Sequence, residues 1–168
     1  TPGTASTAVP PSKAKSAGRK FQDQLITGTG AANTFTGLIN LVAGTQEVAT
    51  GANGGALSFA FLDEGMDLVT DKDGQVDYIT MPARTLRSYK ALLRTLGGAS
   101  INEVVTLPSG AEVPAYSGTP IFRNDYIPVD QVKGAGTNQT SIFFGTFDDG
   151  SRTHGIAGLT ASNAVGIQ

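Results

Sequence analysis

Histidine is the side chain best suited to move protons near neutral pH, and this chain has one, His154. A Ser–His–Asp arrangement would recruit it with Ser151 or Ser141 and with Asp148 or Asp149. The local Gly150-Ser151-Arg152 lacks the G-x-S-x-G turn that exposes a nucleophilic serine. A histidine in a hairpin loop is therefore the simpler reading. Asp71-Lys72-Asp73-Gly74-Gln75-Val76-Asp77 alternates carboxylates as a calcium loop does, but its glycine comes two places early and no glutamate closes it. It reads better as a turn that ends a helix. Gly28-Thr29-Gly30 follows a helical pattern and lacks the Gly-Lys-Ser/Thr of a phosphate loop. Asn138-Gln139-Thr140 has the spacing of a glycosylation acceptor, with little else to give it weight. Arg84, Arg87, Lys90 and Arg94 line one side of a helical pattern without the interleaved aromatics that stack on bases. That side is expected to face solvent or another subunit.

Composition narrows the classes further. The 168 residues contain no cysteine, which excludes disulfides, thiolate nucleophiles and cysteine-built zinc sites. A single histidine excludes two-histidine metal motifs. No catalytic, metal-binding or cofactor-binding residue is therefore assigned, and no cofactor is expected. No apolar run approaches the ~20 residues that cross a bilayer, so no membrane partner is expected. A formal charge of −2 argues against tight binding to a phosphate backbone, which needs a clustered basic surface. Charged residues are 15%, well below the usual ~25%, and 22 residues are glycine. Low charge with abundant glycine implies many turns and much surface that meets protein instead of water.

The elements follow from periodicity. Residues 1–12 are Thr, Ala, Ser and Pro and read as a flexible arm. Ser12 is placed to cap a helix in which Ala14, Ala17, Phe21 and Leu25 recur, stopped by Gly28 and Gly30. A short apolar run, 35–42, follows, and 50–56 reads as a glycine-rich loop. Ser58 caps a second helix with the stripe Phe59, Leu62, Met66 and Val69. The run 76–81 reads as a buried strand. Pro82 starts a third helix with Leu86, Tyr89, Leu93 and Leu96 facing inward, closed by Gly97-Gly98. Strands are then expected over 102–107, 111–116, 120–127, 140–147 and 153–159, with 165–168 opening another and 133–137 a loop. The fold class expected is α+β.

Three blocks carry a resemblance. The first is Phe21 to Gly30 followed by Phe35-Thr36-Gly37-Leu38. The second is Val76 to Met81 and Pro82, then Arg84 to Gly98. The third is Tyr116-Ser117-Gly118-Thr119-Pro120-Ile121 with Asn124-Asp125, then Ser141-Ile142-Phe143-Phe144-Gly145. In order and spacing they resemble the major capsid proteins of tailed double-stranded-DNA bacteriophages, a fold shared with encapsulin shells. The matching positions are Gly28, Gly30, Phe35, Gly37, Leu38, Met81, Pro82, Tyr116, Gly118, Pro120 and Gly145.

The resemblance implies a non-enzymatic shell subunit in the virion, assembled in the host cytoplasm into hexamers and pentamers of an icosahedral capsid around DNA. It implies portal, scaffold and decoration proteins as further partners. It assigns 13–37 to the end of the spine helix and its turn in the peripheral domain, 38–160 to the axial domain, and 161–168 to a strand returning to the peripheral domain. The family's extended loop and C-terminal strands have no counterpart here, so a fragment of a longer product is expected. The alternatives are an encapsulin-type nanocompartment, a small α+β hydrolase using His154, and a β-rich adhesin or decoration module.

Overall fold

A computed structural model describes residues 11–31, 34–42, 44–96, 103–148 and 155–156. The fold is mixed α+β, with four α-helices, a five-stranded sheet and a two-stranded sheet among the described residues. The chain divides into two compact units, Thr1–Thr45 and Gln46–Gln168.

The first unit holds α1 (Pro11–Thr27) and the one-turn α2 (Leu38–Leu41). α1 begins a residue before the expected Ser12 cap, with proline in its first turn, where a missing N–H does no harm. Its expected stripe is only partly buried. Phe21 stays half exposed and packs against Phe35 with the rings tilted, 5.6 Å between ring centres, while Ile26 is the buried side chain.

The second unit begins its regular structure with α3 (Phe59–Thr70). Ser58 caps it as expected, its hydroxyl accepting the Phe61 N–H at 3.3 Å. Strand β1 (Tyr78–Met81) leads through Pro82 into α4 (Ala83–Thr95). The hairpin β2 (Val104–Thr106) and β3 (Glu112–Tyr116) follows, and a second tight turn leads to β4 (Thr119–Arg123). A small hairpin, β5 (Gln131–Lys133) and β6 (Gly136–Gln139), precedes β7 (Phe143–Gly145).

The large sheet runs β2-β3-β4-β1-β7. Strand β1, next to the edge strand β7, pairs parallel to β4 (Ile79 opposite Ile121) and antiparallel to β7 (Tyr78 opposite Gly145). Ile79 and Met81 project to one face and meet Ile121 of β4, Leu62 of α3 and Tyr89 and Leu93 of α4 in one core. Each is less than a tenth exposed. At about 25 cal/mol per Å² of apolar surface, this cluster is the main favourable contribution to the unit's stability.

Four expectations are corrected. Leu96 does not face the core: it sits past the last turn of α4 and is 58% exposed. The strand expected over 120–127 ends at Arg123, because Asn124 Oδ1 accepts the Tyr126 N–H at 3.0 Å and turns the chain. The strand expected over 140–147 is pared to Phe143–Gly145. Residues 133–137, expected to be a loop, are the turn and strand starts of the β5–β6 hairpin. That hairpin carries few apolar residues, so period-2 patterning was absent. Of the strand expected over 153–159 only Gly155 and Ile156 are described, and Ile156 bridges parallel to Phe147. The expectations for 1–10 and 161–168, and the closing Gly97-Gly98, lie outside the described residues.

Candidate functional site

The positions singled out in sequence fall at backbone junctions, built by three close approaches. At the end of α1, the Gly28 N–H donates to Gln24 O at 2.9 Å, and the Gly37 N–H donates back to Gly28 O at 2.8 Å. Thr29 and Thr36 bridge antiparallel between them. A Cβ on Gly28 would stand 2.3 Å from the Phe35 carbonyl oxygen, and one on Gly37 2.5 Å from the Gly28 nitrogen. Backbone replaces side chain at both positions. Gly30 turns the corner at φ 74°. Asn40, two residues past Leu38, donates from Nδ2 to Gly28 O at 2.8 Å and locks the clasp. Gly28, Gly30, Phe35, Gly37 and Leu38 are thus one local structure.

Met81 and Pro82 form the junction between β1 and α4, and both are fully buried. Proline cannot cap a helix with its side chain, and the cap comes from elsewhere. Asp125 Oδ1 accepts the Ala83 N–H at 3.0 Å, 42 residues away in sequence. Arg123 Nε donates to Asp125 Oδ2 at 2.7 Å and its Nη2 pairs with the same oxygen. The Arg123 hydrogen bond, helped by the Ala83 N–H, holds the Asp125 carboxyl below the usual aspartate range. Asn124 N–H donates to Met81 O at 2.9 Å. The second and third sequence blocks are therefore joined at the N-terminus of α4. The open cleft beside them, about 470 Å³, is lined by Pro82, Arg84, Asp125, Ile127, Pro128 and Asp130.

Tyr116, Gly118 and Pro120 belong to the turn between β3 and β4. Ser117 (φ 50°) and Gly118 (φ 76°) are both left-handed, the geometry a two-residue hairpin needs to match strand twist. The Tyr116 hydroxyl donates to Asp63 Oδ1 at 2.6 Å, and its ring stacks on Phe59 at 6.0 Å. Burial, then the bond to Asp63, pushes the Tyr116 hydroxyl pKa up strongly. Tyr89 donates to Ala115 O at 2.7 Å, so its buried hydroxyl is satisfied. Gly145, opposite Tyr78, leaves room for the Tyr78 ring: a Cβ there would lie 2.2 Å from a ring carbon.

The structure does not bring the hydrolase candidates together among the described residues. His154, Ser151 and Asp149 lie outside them. Ser141 Oγ donates to Gln131 Oε1 at 2.8 Å. The Asp71–Asp77 segment is a helix-ending turn, as expected, and no group of three His, Cys, Asp or Glu among the described residues could hold a metal. No helix of the described residues is long and apolar enough to cross a membrane.

Sequence reasoning missed the roles of Asn53 and Asp125. Asn53 Oδ1 accepts the Ala135 N–H at 2.9 Å and ties the 51–54 loop to the turn between β5 and β6. An Asn inside a glycine run, and an Asn-Asp pair after a strand, are the signals that pointed there. No family model matches this chain, and no curated protein matches it.

Proposed function

We propose that this chain is a shell subunit, the major capsid protein of a tailed double-stranded-DNA bacteriophage. In this reading it is non-enzymatic, carries the capsid fold with an axial domain and part of a peripheral domain, and assembles into hexamers and pentamers around DNA in the virion. The reading rests on the three sequence blocks and their order. One structural observation supports it most: among the described residues, apolar side chains stay exposed on the outermost strand β2 and just beyond β7. At the β2 edge Val104 is 54% exposed; beyond β7, Phe147 is 53% and Ile156 39% exposed. Among the described residues β2 has a partner on one side only, and an unpaired strand edge with an apolar residue is a template for another chain. Different apolar surfaces on one subunit suit head-to-tail contacts, which close into rings when the rotation permits. The low charge fits, since each unpaired charge removed from water is costly.

The test is electron microscopy with sedimentation velocity on the purified chain across protein and salt concentration. Capsomer-sized rings or closed particles are expected. A strictly monomeric species under every condition overturns the reading.

A further inference from the structure

Two helices of the second unit carry opposite charge on their outer faces. On α3, at about 100° per residue, Asp63, Glu64, Asp67 and the cap residue Asp71 fall within an arc of about 100°. All four are exposed. On α4, Arg87, Lys90 and Arg94 fall within about 60°, and all three are exposed. Both helices use their opposite sides on the same core, through Leu62 of α3 and Tyr89 and Leu93 of α4. Among the described residues the only ion pair is Arg123–Asp125, so neither stripe is neutralised within the fold.

The placement works against α3 taken alone, and both helices carry like charges at helical spacing. Asp63–Asp67, Asp67–Asp71 and Lys90–Arg94 are like-charge neighbours four residues apart, which destabilise a helix. Asp67 and Asp71 sit at the C-terminal end of α3, where the helix dipole favours cations, and its last turn contains no basic residue. On α4, Arg84 lies in the first turn, where anions are favoured and where the Asp125 carboxylate caps the helix, while Arg94 in the last turn suits the dipole. A partner presenting the opposite charge relieves both stripes, and the chain carries each stripe's complement.

We propose that the acidic outer face of α3 docks against the basic outer face of α4 of a second copy of this chain. The proposal deepens the shell reading by naming the faces that meet. Charge complementarity of this kind sets register and speeds association more than it adds raw affinity. The acidic stripe on the same unit disfavours a polyanion as the occupant of α4.

Charge exchange tests it, read by sedimentation velocity and microscopy at low and high salt. One variant carries Glu64→Lys, Asp67→Lys and Asp71→Lys; Asp63 is spared because it holds Tyr116. A second carries Arg87→Glu, Lys90→Glu and Arg94→Glu. A third combines all six. Each single-face variant is expected to self-associate about tenfold more weakly or worse, with its far-ultraviolet dichroism retained. The six-fold variant regains association, and so does a mixture of the two single-face variants. Wild-type association weakens as salt rises. If the wild type assembles and both single-face variants assemble equally well, the contact is wrong and the shell reading stands. If the wild type stops at a dimer that the charge exchanges abolish and restore, the contact stands and the shell reading falls. Binding of a short DNA duplex that is lost in the second variant, with self-association unchanged, overturns the proposal in favour of nucleic acid. Should a single-face variant unfold, rescue by the six-fold variant still decides, because folding alone does not predict that restoration.

Discussion

At the scale of residues, the sites singled out in sequence matter because a side chain is missing where backbone or ring must pass. Gly145 is the clearest case. It lies opposite Tyr78, whose ring fills the space above it and packs at a tilt against Phe147, 4.8 Å between ring centres. A methyl group there must displace that ring. Gly145→Ala is expected to destabilise the second unit by about 2 kcal/mol, as overpacking does. Removing the ring first, with Tyr78→Ala, should make the glycine substitution nearly neutral. Urea unfolding of the four forms measures this as a coupling energy, and simple additivity would show that the two residues do not compete for space. Val69 and Gly74 are a similar pair at the end of α3, where a Cβ on Gly74 would lie 2.8 Å from Val69 Cγ1.

At the scale of elements, helix ends and loops are decided by polar groups that reach them. α3 ends when the Gly74 N–H bonds Val69 O at 3.1 Å and the Asp73 N–H bonds Thr70 O at 3.0 Å. This is the paired termination in which the residue after the cap turns left-handed. That residue is Asp73, at φ 59°, inside the Asp71-Lys72-Asp73-Gly74 turn that the sequence led us to expect at the end of this helix. Glycine adopts this conformation with less strain, so Asp73→Gly is expected to raise stability by about 0.5 kcal/mol, visible as a higher urea midpoint with an unchanged slope. The glycine-rich stretches 50–56 and 133–137, which composition suggests are adaptable, hold each other. Gly134 and Gly136 pass so close to Ala52 and Asn53 that a Cβ on either would clash with a backbone oxygen, and Arg84 Nη2 donates to Asn138 O at 2.6 Å beside them. Glycine here serves close approach.

At the scale of the whole molecule, the tyrosines link stability to pH. Tyr78, Tyr89 and Tyr116 all have hydroxyl pKa values raised above the ordinary 10.0, in each case first by burial. A raised folded pKa means that the unfolded chain loses its protons first as pH climbs. The contribution is complete below pH 10 and disappears as pH rises through the folded values. Stability should therefore be flat toward neutral pH and fall steeply above about pH 10, with tyrosinate absorbance appearing together with loss of circular dichroism. Tyrosinate forming well before any loss of structure would show that these hydroxyls are not held as described. Assembly belongs to this scale as well. If the proposed function is right, association through the sheet edges and the charged helix faces raises the apparent unfolding temperature with protein concentration, and a midpoint independent of concentration would speak against it.

Local order was legible from residue types alone: the stripe of α3 with its Ser58 cap, the buried strand before Pro82, the apolar side of α4, and the hairpin around Pro108-Ser109-Gly110. Each rests on interactions within a few residues, where periodicity and turn chemistry act directly. The clasp of Gly28 with Gly37, the Asp125 cap on α4, the polar β5–β6 hairpin and the parallel pairing of β1 with β4 needed the folded chain. They depend on backbone groups and single side chains brought together from distant positions, and a hydrogen bond across 42 residues leaves no periodic trace in the sequence that forms it.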